Sequence, residues 1–161
     1  MILRYACITL YLITVSCGGS LAPAVSSKSV TTAPYSEQPC SAMNEDACEA
    51  FNLVNYERTQ KGLPQLTPLT SCITAAQSHA RDMSINNYFS HDGLTETWSQ
   101  RMSRFNVTGT IGENIAISSS PSQVVKQWME SPGHRQNILN PSYRTAGMGL
   151  YNGYWVQCFA G

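Results

Sequence analysis

The end of the chain constrains the fold most, because it predicts a pair of antiparallel strands. Residues 143–149 and 153–160 are short segments rich in aromatic and aliphatic side chains, which is typical of strands. They are joined near Asn152-Gly153, and Asn-Gly is the strongest short signal for a hairpin turn. A small antiparallel sheet needs other elements to cover its faces, so the preceding residues must supply them.

The preceding residues carry the apolar spacing of helices that have one buried face. Ser120-Pro121 and Ser131-Pro132 add helix starts, since Ser is a favoured N-cap and Pro suits the first turn. Helices are predicted at residues 46–61, 69–87 and about 94–104 and after each Ser-Pro pair, with a strand at residues 110–116. Helices before and between strands predict an α+β fold in which helices cover a small antiparallel sheet.

The N-terminus predicts export. Arg4 precedes an apolar run from Tyr5 to Val15, followed by small residues, as in a secretory signal peptide covering residues 1–16. The run is too short to span a bilayer comfortably. Thr14-Val15-Ser16-Cys17 is similar to a bacterial lipobox and favours lipidation of Cys17; cleavage near Ser16 or after Ala22, giving a freely secreted protein, is the alternative.

The residues after this signal predict a tether followed by one domain. Residues 17–39 are dominated by Ser, Thr, Pro, Gly and Ala, so they cannot bury a core and are expected to be disordered. The folded domain is predicted at residues 40–161. We therefore expect a bacterial protein that is lipid-anchored in the cell envelope or extracellular, and that meets the membrane only through its N-terminal lipid.

The cysteine count supports an oxidising compartment. Cys7 lies in the signal, and after Cys17 four cysteines remain, which allow three pairings. We favour Cys72 with Cys158, because a helix stripe starting at Cys72 would pack on the strand that holds Cys158, and Cys40 with Cys48. Buried free thiols are the alternative, and a zinc site is disfavoured because no CxxC occurs.

Charge argues against one class of partner. The formal net charge is zero, and no basic block or stripe occurs. Phosphate backbones are bound by clustered Lys and Arg. Nucleic acid is therefore not expected to bind.

Three short stretches supply the candidate chemistry. They are Tyr88-Phe-Ser-His91, Gly112-Glu-Asn-Ile-Ala116 and Trp128-Met-Glu-Ser-Pro-Gly-His-Arg-Gln-Asn-Ile-Leu139. Two imidazoles and one carboxylate, from His91, Glu113 and His134, are the minimal donor set of an open zinc-type site. Glu113 is also the candidate general base, and Zn or another divalent cation is the possible cofactor. A solvated His91 and a hydrogen-bonded structural His134 are the alternative interpretations.

The order and the amino-acid sequences of these stretches resemble the cysteine-rich secretory, antigen 5 and pathogenesis-related-1 (CAP or SCP) family, in its short bacterial secreted branch. The resemblance covers residues 49–161 and includes residues 53–58, 79–83, Gly147-Met148-Gly149 and 154–157. It implies an α-β-α sandwich with a central sheet and a cleft on one side. It also implies that His91 and Glu113 line the cleft.

The chain departs from the wider family at two cleft positions. Animal and plant members have Glu where Ser131 stands, and His where Tyr154 stands. Their four-residue cleft is therefore incomplete, and His134 resembles a replacement from another element. The predicted cleft residues are thus His91, Glu113, Ser131, His134 and Tyr154. His79 lies on an inward helix stripe and is interpreted as a core histidine bonded to backbone or to Asn55.

Three functions compete at this point. The first is a non-enzymatic, monomeric binding module whose cleft takes a lipid, cell-wall or protein ligand. The second is a divalent-metal-dependent hydrolase or peptidase, ranked below the others. Nucleophilic catalysis has little support, because no Gly-x-Ser-x-Gly motif occurs and the cysteines have a structural pattern. The third is a structural envelope protein in which His91, Glu113 and His134 only stabilise loops. Family resemblance alone does not decide among them, since one fold hosts many activities.

Overall fold

Five helices and four strands occur in the residues that the computed structural model describes, residues 35–161. The predicted signal peptide, Cys17 and most of the predicted tether lie outside this range. In chain order the elements are α1 (Glu45–Gln60), β1 (Thr67–Pro68), α2 (Thr70–Asn86), α3 (Trp98–Arg104), β2 (Ile111–Ile117), α4 (Pro121–Glu130), α5 (Pro132–Ile138), β3 (Thr145–Tyr151) and β4 (Tyr154–Ala160).

The strands form one sheet in the order β1-β3-β4-β2. The predicted hairpin joins β3 to β4, and positive φ angles at Asn152 (47°) and Gly153 (80°) suit a tight turn that matches the strand twist. Strand β2 pairs with the other side of β4, also antiparallel. Strand β1 adds two residues parallel to β3; the sequence does not predict it, because so short a strand containing Pro68 has no alternating pattern to detect.

Helices cover both faces of the sheet, which confirms the predicted α-β-α sandwich. One core lies under α1, α4 and α5 and is centred on Phe51, Trp128 and Trp155. The other lies under α2 and α3 and includes Met83, Met102 and the two cysteines Cys72 and Cys158. The candidate site lies in part on this second face, where α3 meets β2.

Two glycines bring α2 directly against β3. A Cβ at Gly147 would lie 2.2 Å from the Ile73 backbone nitrogen, and one at Gly149 would lie 2.3 Å from that of Gln77. Gln77 also exchanges hydrogen bonds with the Leu150 backbone, donating to its carbonyl at 3.1 Å and accepting from its N–H at 3.2 Å. This close approach fixes α2, and with it the loop that carries His91.

Both favoured disulfides are present. Cys72 on α2 pairs with Cys158 on β4, with a Cα–Cα distance of 5.2 Å. Cys40 pairs with Cys48 at the start of α1, at 5.6 Å. The first bond links a helix to the strand that it covers, as the apolar stripe of α2 predicts.

A buried arginine ties α1 to the end of α5. Arg58 is fully buried, and its Nη1 donates to the carbonyls of Ile138 (2.7 Å) and Asn140 (2.9 Å). Its Nε donates to the Pro64 carbonyl at 3.0 Å. Burial, with a smaller effect of Arg144, lowers the pKa of Arg58 to about 10, so the guanidinium stays charged at neutral pH. Arg58 therefore holds α5, the helix of His134, against the rest of the domain.

Two expectations about boundaries need correction. The composition places residues 35–39 in the disordered tether, but they contact the domain: the Gln38 N–H donates to Asn52 Oδ1 at 2.9 Å, and Gln65 donates to the Ser36 carbonyl at 2.7 Å. The third helix begins at Trp98 and not near residue 94, because Thr97 and Gln100 form a reciprocal capping box there. In residues 35–161 no helix combines the length and apolarity that a membrane span requires.

Candidate functional site

Glu113 is a carboxylate buried in the sheet. It lies on β2 opposite Cys158 of β4 and is 6% exposed. The adjacent Gly112 leaves room for the Tyr143 ring, since a Cβ there would lie 2.2 Å from Tyr143 Oη. A carboxylate so enclosed needs a partner to offset its lost hydration.

Arg101 of α3 is that partner. Its Nη2 lies 2.9 Å from Glu113 Oε2 and 3.1 Å from Oε1, and the guanidinium is buried with the carboxylate. The same nitrogen donates to the His91 carbonyl at 2.8 Å. Arg101 therefore neutralises Glu113 and anchors the loop that presents His91.

His91 completes the cluster from the loop after α2. Its Nδ1 lies 2.9 Å from Glu113 Oε1, and the side chain is 52% exposed. Because a carboxylate oxygen accepts, the neutral ring carries its hydrogen on Nδ1 and offers Nε2 as an acceptor. A hydrogen bond thus joins His91 directly to Glu113.

His134 does not bond Glu113. It sits in α5, and burial, with a smaller effect of His91, lowers its pKa below the ordinary value of 6.5. Desolvation is thus the main reason why this site favours the neutral ring. Its backbone carbonyl accepts from Asn114 Nδ2 at 3.2 Å, which ties α5 to β2.

The three candidate ligands do not form the predicted metal site. No group of three His, Cys, Asp or Glu side chains in residues 35–161 is arranged to hold a metal ion. The place of a cation beside Glu113 is taken by Arg101, whose Nη2 contacts both carboxylate oxygens. This donor set does not fit a resident divalent ion, so no chemical step is derived through one.

A cavity of about 430 Å³ opens beside Glu113. Two aromatic side chains, Trp98 and Tyr143, form part of its wall, and the Trp98 indole N–H has no partner among the described residues. The lining residues are His91, Asp92, Trp98, Ile111, Gly112, Glu113, Asn137 and Tyr143. This set, called the cleft below, combines ring surfaces with hydrogen-bonding groups, as small-molecule sites do.

Three predicted cleft residues lie outside this lining. Tyr154 pairs with Ile117, four residues along β4 from the partner of Glu113, which is about 13 Å at the usual strand rise. Neither Ser131 nor His134 is part of the lining, and the Ser131 hydroxyl makes no capping bond to α5.

His79 is a core histidine, as interpreted from its helix stripe. Its Nε2 lies 2.8 Å from the Ser90 carbonyl, so its bond goes to backbone. The alternative partner, Asn55, instead bonds the Leu66 backbone. His79 therefore supports the loop before His91 from inside the domain.

The profile of the Cysteine-rich secretory protein family, CAP, matches residues 51–159. The chain belongs to the CAP family. This confirms the resemblance drawn from the sequence.

Bacterial proteins are similar to this CAP domain in sequence. The chain is 38% identical over 149 residues to the uncharacterized protein YkwD of Bacillus subtilis (strain 168), covering 88% of this chain and 56% of that protein. It is 32% identical over 118 residues to the uncharacterized membrane protein YlbC of the same strain, covering 69% and 33%. The chain thus spans about half or less of the length of these curated relatives.

Solved structures share the CAP fold. An extracellular protein containing a SCP domain from Bacillus anthracis str. Ames aligns with a TM-score of 0.71 and 36% identity, covering 73% of this chain and 41% of that one. An outer surface protein from Borrelia burgdorferi aligns with a TM-score of 0.67 and 20% identity, covering 73% and 92%; this second likeness concerns the fold alone.

Sequence reasoning missed residues that shape this CAP cleft. Arg101 is the most consequential, and a signal existed: it follows Trp98 by three positions and precedes Met102, so it falls near the apolar face of α3. Asn137 donates to the Glu113 carbonyl at 3.1 Å and to Asn114 Oδ1 at 2.9 Å. An amide in a short helix gives no comparable signal in the sequence.

Proposed function

We propose that this protein is an exported binding module whose cleft holds a cell-wall ligand without turning it over. The observation that carries the proposal is the Arg101–Glu113 pair. A carboxylate whose two oxygens both contact a buried guanidinium is poorly placed to bind a metal ion or to act as a general base. Glu113 then serves to orient His91.

Export is supported by three independent features. The N-terminus has the pattern of a bacterial signal peptide with Cys17 as a candidate lipidation site. Two disulfides suit an oxidising compartment. The similar solved protein from Bacillus anthracis is described as extracellular.

The cleft lining favours a carbohydrate-containing ligand over a lipid. Trp98 offers a ring surface, while His91, Asp92 and Asn137 offer hydrogen-bonding groups around it. A sugar ring has apolar faces and a rim of hydroxyl and amide groups, so it can use both at once. An alkyl chain would leave the polar groups of the cleft, including the unpartnered Trp98 N–H, unsatisfied.

The test is co-sedimentation of the purified full chain with insoluble bacterial peptidoglycan. Trp98→Ala should weaken binding about tenfold, equivalent to about 1.4 kcal/mol, through loss of a ring surface and an N–H donor. Trp98→Phe, which keeps a ring, should weaken it less. Phe89→Ala is the matched control, since Phe89 is an aromatic residue of the loop before α3, 50% exposed and outside the cleft. Absence of sedimentation, or equal effects of Trp98→Ala and Phe89→Ala, would exclude this ligand and site.

A hydrolase is the second candidate, favoured by one observation. His91 Nδ1 bonded to Glu113 resembles an oriented general base, with Nε2 left for other partners. The same experiment separates the two functions, because a hydrolase releases soluble peptidoglycan fragments over time. Fragments that appear with the wild type and not with His91→Ala would overturn the non-enzymatic proposal.

A further inference from the structure

A second cavity, of about 690 Å³, lies along the outer side of α2. It is bordered by α2 residues from Ile73 to Asn86 and by Thr95, Glu96, Arg101, Arg104 and Phe105. We call it the α2 groove. It shares no lining residue with the cleft, although Arg101 borders the groove and its ion-pair partner Glu113 borders the cleft.

The floor of the α2 groove contains donors that lack acceptors. Arg101 is 1% exposed, and its Nε and Nη1 have no hydrogen-bond partner among the described residues. The Nη2 group of the same guanidinium is committed to Glu113 and His91, so Nε and Nη1 are the donors left for another acceptor. A buried donor without an acceptor is costly, so an acceptor at this place would be bound favourably.

One arginine that borders the groove, Arg81, has no ion-pair partner among residues 35–161. Arg104 is paired with Glu96, at 2.6 Å and 2.9 Å. Asp82 accepts from the Tyr88 hydroxyl and from Asn86 Nδ2. An anionic group near Arg81 and Arg101 would therefore meet the unpaired charge of Arg81 and the unpartnered N–H groups of Arg101.

The length and lining of the groove favour a peptide. From Ile73 to Asn86 the helix advances about 20 Å, the length of about six extended residues. Apolar Ile73, Ile85 and Phe105 are separated by polar residues such as Ser78 and Asn86. This mixture suits alternating side chains and backbone amides, whereas an alkyl chain would bury polar groups without partners.

We propose that the α2 groove is a second binding site, which takes an extended peptide of about six residues with a carboxylate near Arg81 and Arg101. The cleft and the groove then bind different ligands on one domain. Since Arg101 Nη2 also holds the His91 carbonyl, the two sites share one positioning residue.

The experiment measures retention of a random hexapeptide library on the immobilised full chain, once as free acids and once as C-terminal amides. We expect free acids to be retained at least tenfold more than amides. Ser78→Trp, which fills the groove from a partly exposed helix position, should abolish retention. Thr70→Trp is the matched control, an exposed position on the same helix outside the lining. Arg81→Gln should reduce the preference for free acids about fivefold.

Specific outcomes would overturn the assignment. Equal retention of acids and amides would show that no carboxylate is recognised. Unchanged retention by Ser78→Trp would show that the α2 groove is not the binding site. Displacement of the peptides by laurate at low concentration would assign the groove to fatty acids. Trp98→Ala should leave peptide retention intact and Ser78→Trp should leave peptidoglycan sedimentation intact, so failure of this proposal is distinguishable from failure of the proposed function.

Discussion

At the scale of single residues, the buried Arg101–Glu113 pair makes each charge dependent on the other. Both side chains are almost fully enclosed, so removing one leaves an uncompensated buried charge. Arg104, also on α3, forms a second ion pair with Glu96. The side chain of Arg104 is 51% exposed and that of Glu96 is 25% exposed. The domain therefore contains its own comparison between a buried and an accessible ion pair.

Glu113→Gln should lower the free energy of unfolding by about 3 kcal/mol or more, measured by urea denaturation. Glu96→Gln, the matched control, should cost less than about 1 kcal/mol, because solvent screens that pair. The double variant Arg101→Met/Glu113→Leu should cost less than the two single changes added together. Equal effects of Glu113→Gln and Glu96→Gln would mean that burial does not determine the strength of the pair.

His134 should make the domain sensitive to mild acid. Burial and His91 lower the pKa of His134 below 6.5 in the folded state, so the unfolded chain binds the proton more readily. The associated stability is complete above pH 6.5 and falls as the pH drops through the folded pKa. In melting curves between about pH 7.5 and 5.5, His134→Gln should lose less Tm than the wild type. Parallel loss in both proteins would assign the acid response to other groups, such as His79, whose pKa burial also lowers.

At the scale of elements, side chains protect the free edge of the sheet. Strand β2 is the outermost strand beyond β4, and three of its carbonyls accept from side chains: Ile111 from Tyr143, Glu113 from Asn137 and Ile115 from Trp128. An uncovered edge invites pairing with another chain. The same bonds attach α4 and α5 to the strand that carries Glu113, so the edge and the cleft are stabilised together.

The contact between α2 and β3 should tolerate no side chain at Gly149. Gly149→Ala would place a methyl group 2.3 Å from the Gln77 backbone nitrogen, and the required shift should cost about 3 kcal/mol in chemical denaturation. Gly133→Ala is the control: no atom lies within 4 Å of its Cβ position in α5, so the variant should gain roughly 0.5 kcal/mol. A neutral Gly149→Ala would show that α2 can move away from the sheet without loss.

Elements with strong local patterns were predictable, and those defined by tertiary contacts were not. Predicted helices at 46–61 and 69–87 differ by one residue at each end from α1 and α2, because apolar spacing and stop signals agree there. Strand β1 exists only through its pairing with β3. The start of α3 depends on capping by Thr97, a signal that the apolar pattern does not contain.

At the scale of the whole molecule, the residue types of the candidate site were predictable from the sequence. Their positions in space were predictable only in part. The sequence context of His91 and Glu113 placed both in one site, and the structure joins them by a hydrogen bond. Tyr154 was placed wrongly because the register of β4 against β2 is decided by pairing, which one sequence does not reveal. The sequence does not identify the partner of Glu113, and only the packing of α3 on β2 identifies it as Arg101.

The two disulfides should differ in their contribution to global stability. Cys72 and Cys158 are 86 positions apart in the chain, and Cys40 and Cys48 are 8 apart. In the chain-entropy description, the disulfide that closes the longer loop restricts the unfolded chain more. Its contribution to the free energy of unfolding is larger by about 2 kcal/mol at 25 °C. Both cysteines of the longer loop are also fully buried in the second core, so their replacement leaves a small cavity as well.

Cys72→Ala/Cys158→Ala should therefore lower the free energy of unfolding by about 2 kcal/mol more than Cys40→Ala/Cys48→Ala, measured by urea denaturation under oxidising conditions. Adding a reductant should narrow the gap between each variant and the wild type, because the wild type then loses the same restriction. If the two double variants were equally stable, the link between α2 and β4 would contribute no more to stability than the short loop closed by Cys40 and Cys48.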